Sequence, residues 1–530
     1  TIWLKPTDNG HWEMNPETGI ARRTEQLASA EVEACAACHS RRKVIAKDPV
    51  PGEPYLDGYL PALLEPGLYH ADGQIDGEVY EYGSFLQSRM YHAGVTCSDC
   101  HDPHSTKLRA DGNALCGQCH LPAKFDVTEH HHHQPGSAGA QCVNCHMPTK
   151  TYMIVDARRD HSIRVPRPDL SVALGTPNAC TQCHAESSAG WAAQTLAGWY
   201  PGGRQTTPHY GTALHAGRIG AADAEQQLDR LILDRSQPAI VRASGLVGLA
   251  PYASSASEPV IKAAVADAEP LVRLAAPRAL PASAPPAILQ AIAPLLSDPV
   301  RTVRIEAARA LAGTDLLALT PQQQTAFIKA TAELVAAEKV DADRPEAHLN
   351  LGLLDLRRRE LPEAEKEYRT ALRLDPNFVP ALVNLADLDR ARGMDAQGEE
   401  LLKHAMAIEP GNAGVRYALG LSLVRRHDYQ GALDLLRRAH ELAPENARYA
   451  YVYAVALNST GAPADALALL ERTHQQHPTD RNVLTVLVSI EQDQGDFAKA
   501  LRYARELVAL NPGDARLRAL VSDLEKKAVQ

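Results

Sequence analysis

Residues 96–120 read TCSDCHDPHSTKLRADGNALCGQCH, and the reading of the whole chain turns on them. Two C-x-x-C-H units, Cys97/Cys100/His101 and Cys116/Cys119/His120, begin nineteen residues apart. In such a unit two thiols three residues apart add across the two vinyl groups of one porphyrin. The adjoining histidine then reaches the iron as its proximal ligand. The unit recurs outward in both directions, as Cys35/Cys38/His39, Cys142/Cys145/His146 and Cys180/Cys183/His184. All ten cysteines are used this way, which leaves none for a disulfide. Paired C-x-x-C units also build zinc sites, and a single one can be a redox dithiol, but neither demands a histidine after every pair. The pattern predicts five covalently attached c-type haems, with His39, His101, His120, His146 and His184 as proximal ligands.

Five haems between Cys35 and His184 leave about one for every 30 residues, too little polypeptide to bury each porphyrin separately. The porphyrins are expected to be the core of residues 1–220, within short motif-bearing helices and Pro- and Gly-rich loops such as Pro49 to Gly67 and Gln134 to Gly139. Little sheet is expected. Covalent haem addition takes place outside the bacterial cytoplasm, which predicts a periplasmic or extracellular protein. The start TIWLKPTDNGHW lacks the charge-then-apolar pattern of a signal peptide, so Thr1 is expected to be a processed or truncated start. A formal charge of −10, before any propionates, argues against a nucleic-acid-coating role. No run of about 18 apolar residues predicts a membrane span.

Each iron needs a sixth ligand or an open face, and that choice separates an electron carrier from a catalyst. Beyond the five proximal histidines, the first 220 residues hold His11, His70, His92, His104, His130, His131, His132, His133, His161, His209 and His215. Met14, Met90 and Met153 are alternatives that this supply makes unnecessary, so bis-histidine haems are expected. For the run His130 to His133 the alternative is a solvated polar turn, and for His11, His70, His209 and His215 a hydrogen-bonded surface position.

The stretch TCSDCHDPHS…ALCGQCH resembles the paired-haem unit of multihaem cytochromes, in which the last histidine of C-H-x-P-H, here His104, ligates a neighbouring haem. CVNCHMPTKTYMIVDARRDHSIRVP is similar to a block in pentahaem nitrite reductases and octahaem hydroxylamine-oxidising enzymes, and that likeness makes His161 a distal ligand. It also favours His92 and one of His130 to His133. The candidate distal set is His92, His104, His161, His131, His132, His70 and His11. The likeness covers about a third of the chain and departs from the nitrite reductases in lacking a C-x-x-C-K motif, whose lysine leaves a substrate face open. A catalytic haem upstream of Thr1 is compatible with it.

Behind the haem region the chain reads as helical repeats. Val241-Arg242, Val272-Arg273 and Val303-Arg304 recur every 31 residues, after Pro-containing turns with Asp234, Asp267 or Asp298, and resemble repeats of the HEAT type over 221–318. A connecting helix is expected over 319–344. From 345 to 514 the period is 34: Pro376, Pro410, Pro444, Pro478 and Pro512, with small residues at Ala364, Gly398, Ala432, Ala466 and Ala500. These resemble five tetratricopeptide (TPR) repeats, with Leu351-Gly352 and Leu419-Gly420 in the first helices, and 515–530 caps them. The predicted class is mainly α, a multihaem cytochrome c domain followed by an α-solenoid. Histidines from His348 to His477 are expected at surface positions on its helices.

The leading functional expectation is electron transfer along five haems between redox protein partners, with the solenoid groove docking a protein. Leu349, Val383, Tyr417, Tyr451 and Thr485 are expected to face that groove. Tyr417 and Tyr451, stacked in adjacent repeats, are its candidate anchors, against the alternative that they only fill space between helices. Two other readings are an oxidoreductase of the nitrite or hydroxylamine class and a homo-oligomeric subunit of an extracellular cytochrome filament.

Overall fold

The computed structural model describes residues 11–24, 30–50, 52–105, 107–203, 207–280, 286–510 and 513–528. The chain is mainly helical and divides into two compact units, one ending at Val340 and the other beginning at Asp341.

In the first unit the cysteine motifs sit on or beside single helical turns: Glu31–Ala36, Cys97–Cys100, Asn113–Gly117, Cys142–His146 and Cys180–Cys183. Sheet is confined to three two-stranded antiparallel hairpins, β1 (Trp12–Asn15) with β2 (Ile20–Arg23), β3 (Arg42–Val44) with β4 (Tyr59–Pro61), and β5 (Thr149–Tyr152) with β6 (Asp156–Arg159). Pro- and Gly-rich connections keep these elements short, because proline cannot extend a helix or a paired strand and glycine turns the chain.

The 31-residue period marks stacked helices. Val241, Val272 and Val303 are fully buried. Each following arginine reaches an acid about one repeat further on: Arg242 to Asp267, Arg273 to Asp298 (Nε–Oδ2 2.7 Å) and Arg304 to Glu333 (Nη2–Oε1 2.7 Å). Burying a valine beside a charge is tolerable only because the charge is paired at each step.

These repeats pack against the motif-bearing region inside the same unit. Ser244 Oγ accepts from Leu64 N–H and Arg278 pairs with Glu65, while Arg218, on the helix Tyr210–Ile219 just before the repeats, donates to the carbonyls of Leu64 and Tyr69. The helix Pro321–Glu338, expected as a connector, belongs to this unit as well, since Glu338 is buried between Arg309 and Lys43.

The second unit is a TPR solenoid. Its helix pairs are Pro345–Arg357 with Leu361–Leu374, Val379–Ala391 with Asp395–Ile408, Ala413–Arg425 with Tyr429–Leu442, Ala447–Ser459 with Pro463–Gln476, and Arg481–Asp493 with Phe497–Leu510. Ala515–Ala528 follows. Ala364, Ala432, Ala466 and Ala500 are fully buried where paired helices cross. At Gly398 a Cβ would lie 2.9 Å from the Ala386 carbonyl oxygen, so that crossing requires glycine. Pro376, Pro410, Pro444 and Pro478 follow the second helices, where the chain must leave the helix; Pro512 lies outside the described residues. Asn412, Asn446 and Asp480, again 34 apart, cap first helices through their side-chain oxygens.

Two expectations for this unit are corrected. Tyr417 does not stack on Tyr451: its ring packs on Tyr449 (centroids 4.8 Å), its hydroxyl accepts from Arg448 Nε, and it is buried with Leu436 and Ala439. Tyr451 packs instead on the core formed by the last repeats. The histidines are not uniformly surface residues on helices either. His348 lies between Glu367 (Nδ1–Oε2 2.5 Å) and the Ala342 carbonyl, His474 meets Glu506 at 2.9 Å, and His427 and His477 lie past helix ends.

Candidate haem-attachment sites

None of the ten cysteines forms a disulfide; Cys38 and Cys183 are exposed and the other eight half-buried. Successive motifs are clipped together by hydrogen bonds and an ion pair. Glu31, one turn before Cys35, accepts from Ser98 N–H (2.6 Å) and Ser98 Oγ, and the thiols of Cys35 and Cys97 share a hydrogen bond. That bond draws the Cys35 thiol down to about 7 against the opposing effect of burial. Strand β2 joins the second motif to the third, since Arg23 pairs with Asp99 while Ala21 N–H donates to Cys119 O (2.8 Å). Asn113 joins the third to the fourth, taking Cys142 N–H (3.0 Å) and giving Nδ2–H to Ala140 O. Gln182 Nε2 donates to Thr149 O, three residues beyond His146, and so ties the fifth motif to the fourth.

Three of the five motif histidines lie opposite a second imidazole. Ring centroids lie 6.4 Å apart for His101 and His161, 6.2 Å for His130 and His146, and 6.2 Å for His133 and His184. Two metal–nitrogen bonds of about 2 Å on opposite sides of one ion put two imidazole centroids roughly 6 Å apart. The spacing therefore fits an iron between each pair.

Backbone carbonyls orient these rings. His146 Nδ1 lies 2.7 Å from Arg164 O and His161 Nδ1 lies 3.0 Å from Arg159 O, while His133 Nδ1 meets His131 O. A carbonyl can only accept, so each Nδ1 carries the proton and Nε2 is left to bind a metal. Residues 159–164 supply two of these carbonyls. They are held by Arg164, which lies between Asp72 and Asp160, two acids that are almost wholly buried.

Within the histidine run, the expectation that His131 or His132 is the ring set against a motif histidine is corrected: His130 lies opposite His146 and His133 opposite His184. His132 takes a left-handed backbone (φ 56°), which reverses the chain and lays its own ring flat on Trp199 at 4.3 Å. His131 Nδ1 accepts from His133 N–H. Because His130 and His133 are three residues apart, the fourth and fifth motifs must be neighbours.

The remaining candidates do not lie opposite a motif histidine among the described residues. His92 bonds the Leu86 backbone and packs edge-on against Tyr91. His104 is exposed and its N–H donates to Asp102. His70 lies 3.5 Å from Asp76, which Lys150 also holds, and His11 lies 2.7 Å from Glu13. His209 caps the helix Tyr210–Ile219, and burial followed by Arg164 pushes it down to about 4. Met14 and Met153 are exposed.

Comparison with known proteins agrees with this division. Residues 91–125 match the doubled CXXCH motif, and residues 345–378 and 423–490 match the tetratricopeptide repeat. The chain is 31% identical over 101 residues to the Protein CTR9 homolog of Arabidopsis thaliana, a stretch covering 19% of this chain and 9% of that protein. Solved structures similar to parts of the chain include MamA (22% identity, TM-score 0.29, 31% of this chain and 97% of that one). Others are YrrB, described as a TPR protein with an unusual peptide-binding site (21%, 0.30, 35% and 96%), and PilF of Pseudomonas aeruginosa (23%, 0.32, 36% and 88%). This chain joins a paired C-x-x-C-H haem-binding motif to a tetratricopeptide solenoid.

Proposed function

We propose that the chain is an electron carrier that holds five c-type haems in sequence order and docks a protein partner through its TPR solenoid. The three histidine pairs at 6.2–6.4 Å carry this reading, because saturating both faces of an iron suits electron transfer rather than substrate binding. In it His161, His130 and His133 are the distal ligands for the second, fourth and fifth motifs. The clips at Glu31, β2, Asn113 and Gln182 support a serial order, and the exposed Cys38 and Cys183 belong to its two ends. The cytochrome c chemistry supports a location outside the cytoplasm, and the Arg–acid ladder supports the HEAT-type reading of the 31-residue repeats.

A second reading rests on one observation. His39 and His120 face no second imidazole among the described residues, which favours an oxidoreductase in which one of those irons takes a small substrate. Haem staining of variants lacking each cysteine pair counts the attached groups, and electron paramagnetic resonance of the oxidised holoprotein reads their ligation. The carrier reading expects five haems, all low-spin. Fewer than five would overturn the count, and a high-spin signal that moves with nitrite or hydroxylamine would favour the oxidoreductase.

A further inference from the structure

Among the described residues, His39 is the one proximal histidine whose ring bonds a carboxylate. Its Nδ1 lies 3.1 Å from Glu81 Oε2, whereas His146 bonds a neutral carbonyl. The distal rings of His161 and His133 also bond carbonyls. The Glu81 contact is built by the backbone. Tyr82 N–H donates to His39 O (3.0 Å) and Arg41 N–H donates to Val79 O (3.1 Å), so residues 79–82 run alongside residues 39–41. This pairing holds the Glu81 carboxylate at the ring edge away from the iron-binding nitrogen.

An anionic acceptor draws the Nδ1 proton more strongly than a carbonyl does. The imidazole then gains imidazolate character and donates more charge through Nε2, which stabilises ferric over ferrous iron and lowers the reduction potential. We infer that Glu81 is a positioning residue that makes the iron held by His39 the most reducing of the series. His39 belongs to the first motif, at an exposed end of the clipped order. An electron delivered there runs downhill into the rest of the chain, so this end accepts electrons from a strongly reducing protein donor. The inference rests on the carrier reading and adds its direction.

The test uses the full-length, haem-loaded protein. Haem content is measured first; a wild-type protein without haem on Cys35 and Cys38 would sink the carrier reading itself. Spectroelectrochemical titration then compares wild type with Glu81→Gln, which keeps the size and the accepting oxygen but removes the charge, and with Glu78→Gln as a neighbouring control. The expected result is that Glu81→Gln moves the lowest of five potentials upward and leaves the other four, the haem content and the spin state in place, while Glu78→Gln moves none. The shifted potential should be the one missing from a Cys35→Ser/Cys38→Ser protein. A loaded Glu81→Gln protein with all five potentials unmoved would overturn the inference. So would a shift that persists without the first haem.

Discussion

The imidazoles of His130 and His146 lie 6.2 Å apart, centroid to centroid, and within 11° of parallel, although sixteen residues separate them in sequence. His133, three residues on, stands at the same separation from His184. One short segment thus serves two motifs, and the left-handed turn at His132 makes it possible.

On the carrier reading, His130→Ala and His133→Ala should each convert one haem from low-spin to high-spin while the number of attached haems stays the same, because neither change touches a motif cysteine. His131→Ala should leave the spin state alone. His132→Ala should cost about 1 kcal/mol of stability through the lost ring contact with Trp199, without changing the spectrum. Resonance Raman spectra and thermal unfolding check the four variants together.

Arg242→Ala should destabilise the first unit by about 3–5 kcal/mol, because it strands Asp267 as a buried, unpaired charge. Burial alone would push the Asp267 carboxyl up, but Arg242 and the Glu269 N–H hold it below the usual value. A group depressed in the folded state stabilises above its unfolded pKa of about 4 and loses that contribution as pH falls through the folded value. Asp267→Asn should therefore weaken the acid dependence of unfolding, measured by denaturant titration from neutral pH downward.

The residue ending the first-helix turn of each TPR repeat has a positive φ: Arg359 (62°), Gly393 (76°), His427 (63°), Gly461 (89°) and Gly495 (80°), each 34 residues from the last. Glycine adopts this conformation without a Cβ penalty, and arginine and histidine do not. Arg359→Gly and His427→Gly should each stabilise the solenoid by up to about 1 kcal/mol, and Gly393→Ala should destabilise it by a similar amount. Urea unfolding midpoints give the sign.

Tyr417→Ala should cost about 3–5 kcal/mol, as large-to-small changes at buried aromatic positions do, and Tyr451→Ala, only partly buried, should cost less. Tyr417→Phe should lose only the hydrogen bond from Arg448, about 1 kcal/mol. If Tyr417→Ala instead leaves stability unchanged and abolishes capture of a redox partner, the ring is a docking anchor and not a spacer.

Gly352 faces the fully buried ring of Tyr368, with no room for a Cβ. Gly352→Ala should cost about 1–3 kcal/mol through overpacking. The double change Gly352→Ala/Tyr368→Leu should recover part of that loss, which a double-mutant cycle in urea would measure.

Much of this was legible in sequence because the chemistry demands fixed spacings. Two thiols and a histidine at C-x-x-C-H register mark each candidate attachment site within five residues. The buried alanines at 432, 466 and 500 must recur whenever the same two helices cross, so the 34-residue period shows in the sequence. The 31-residue Val-Arg period was equally visible, but its cause was not, since Arg242 and Asp267 are 25 residues apart and their pairing exists only once the helices stack.

The sequence by itself determined where the C-x-x-C-H motifs lie and where the solenoid repeats, since both follow from local spacing along one chain. Only the tertiary structure decided which spare histidine faces which motif, that Tyr417 is packed under Arg448, and that Glu81 meets His39. Four consecutive histidines are chemically identical, and what separates them is the backbone direction at His132. Glu81 lies 42 residues from His39, and nothing in its neighbours marks it until two backbone hydrogen bonds bring the segments side by side. Contacts of that kind depend on direction and distance in space, which composition and periodicity do not encode.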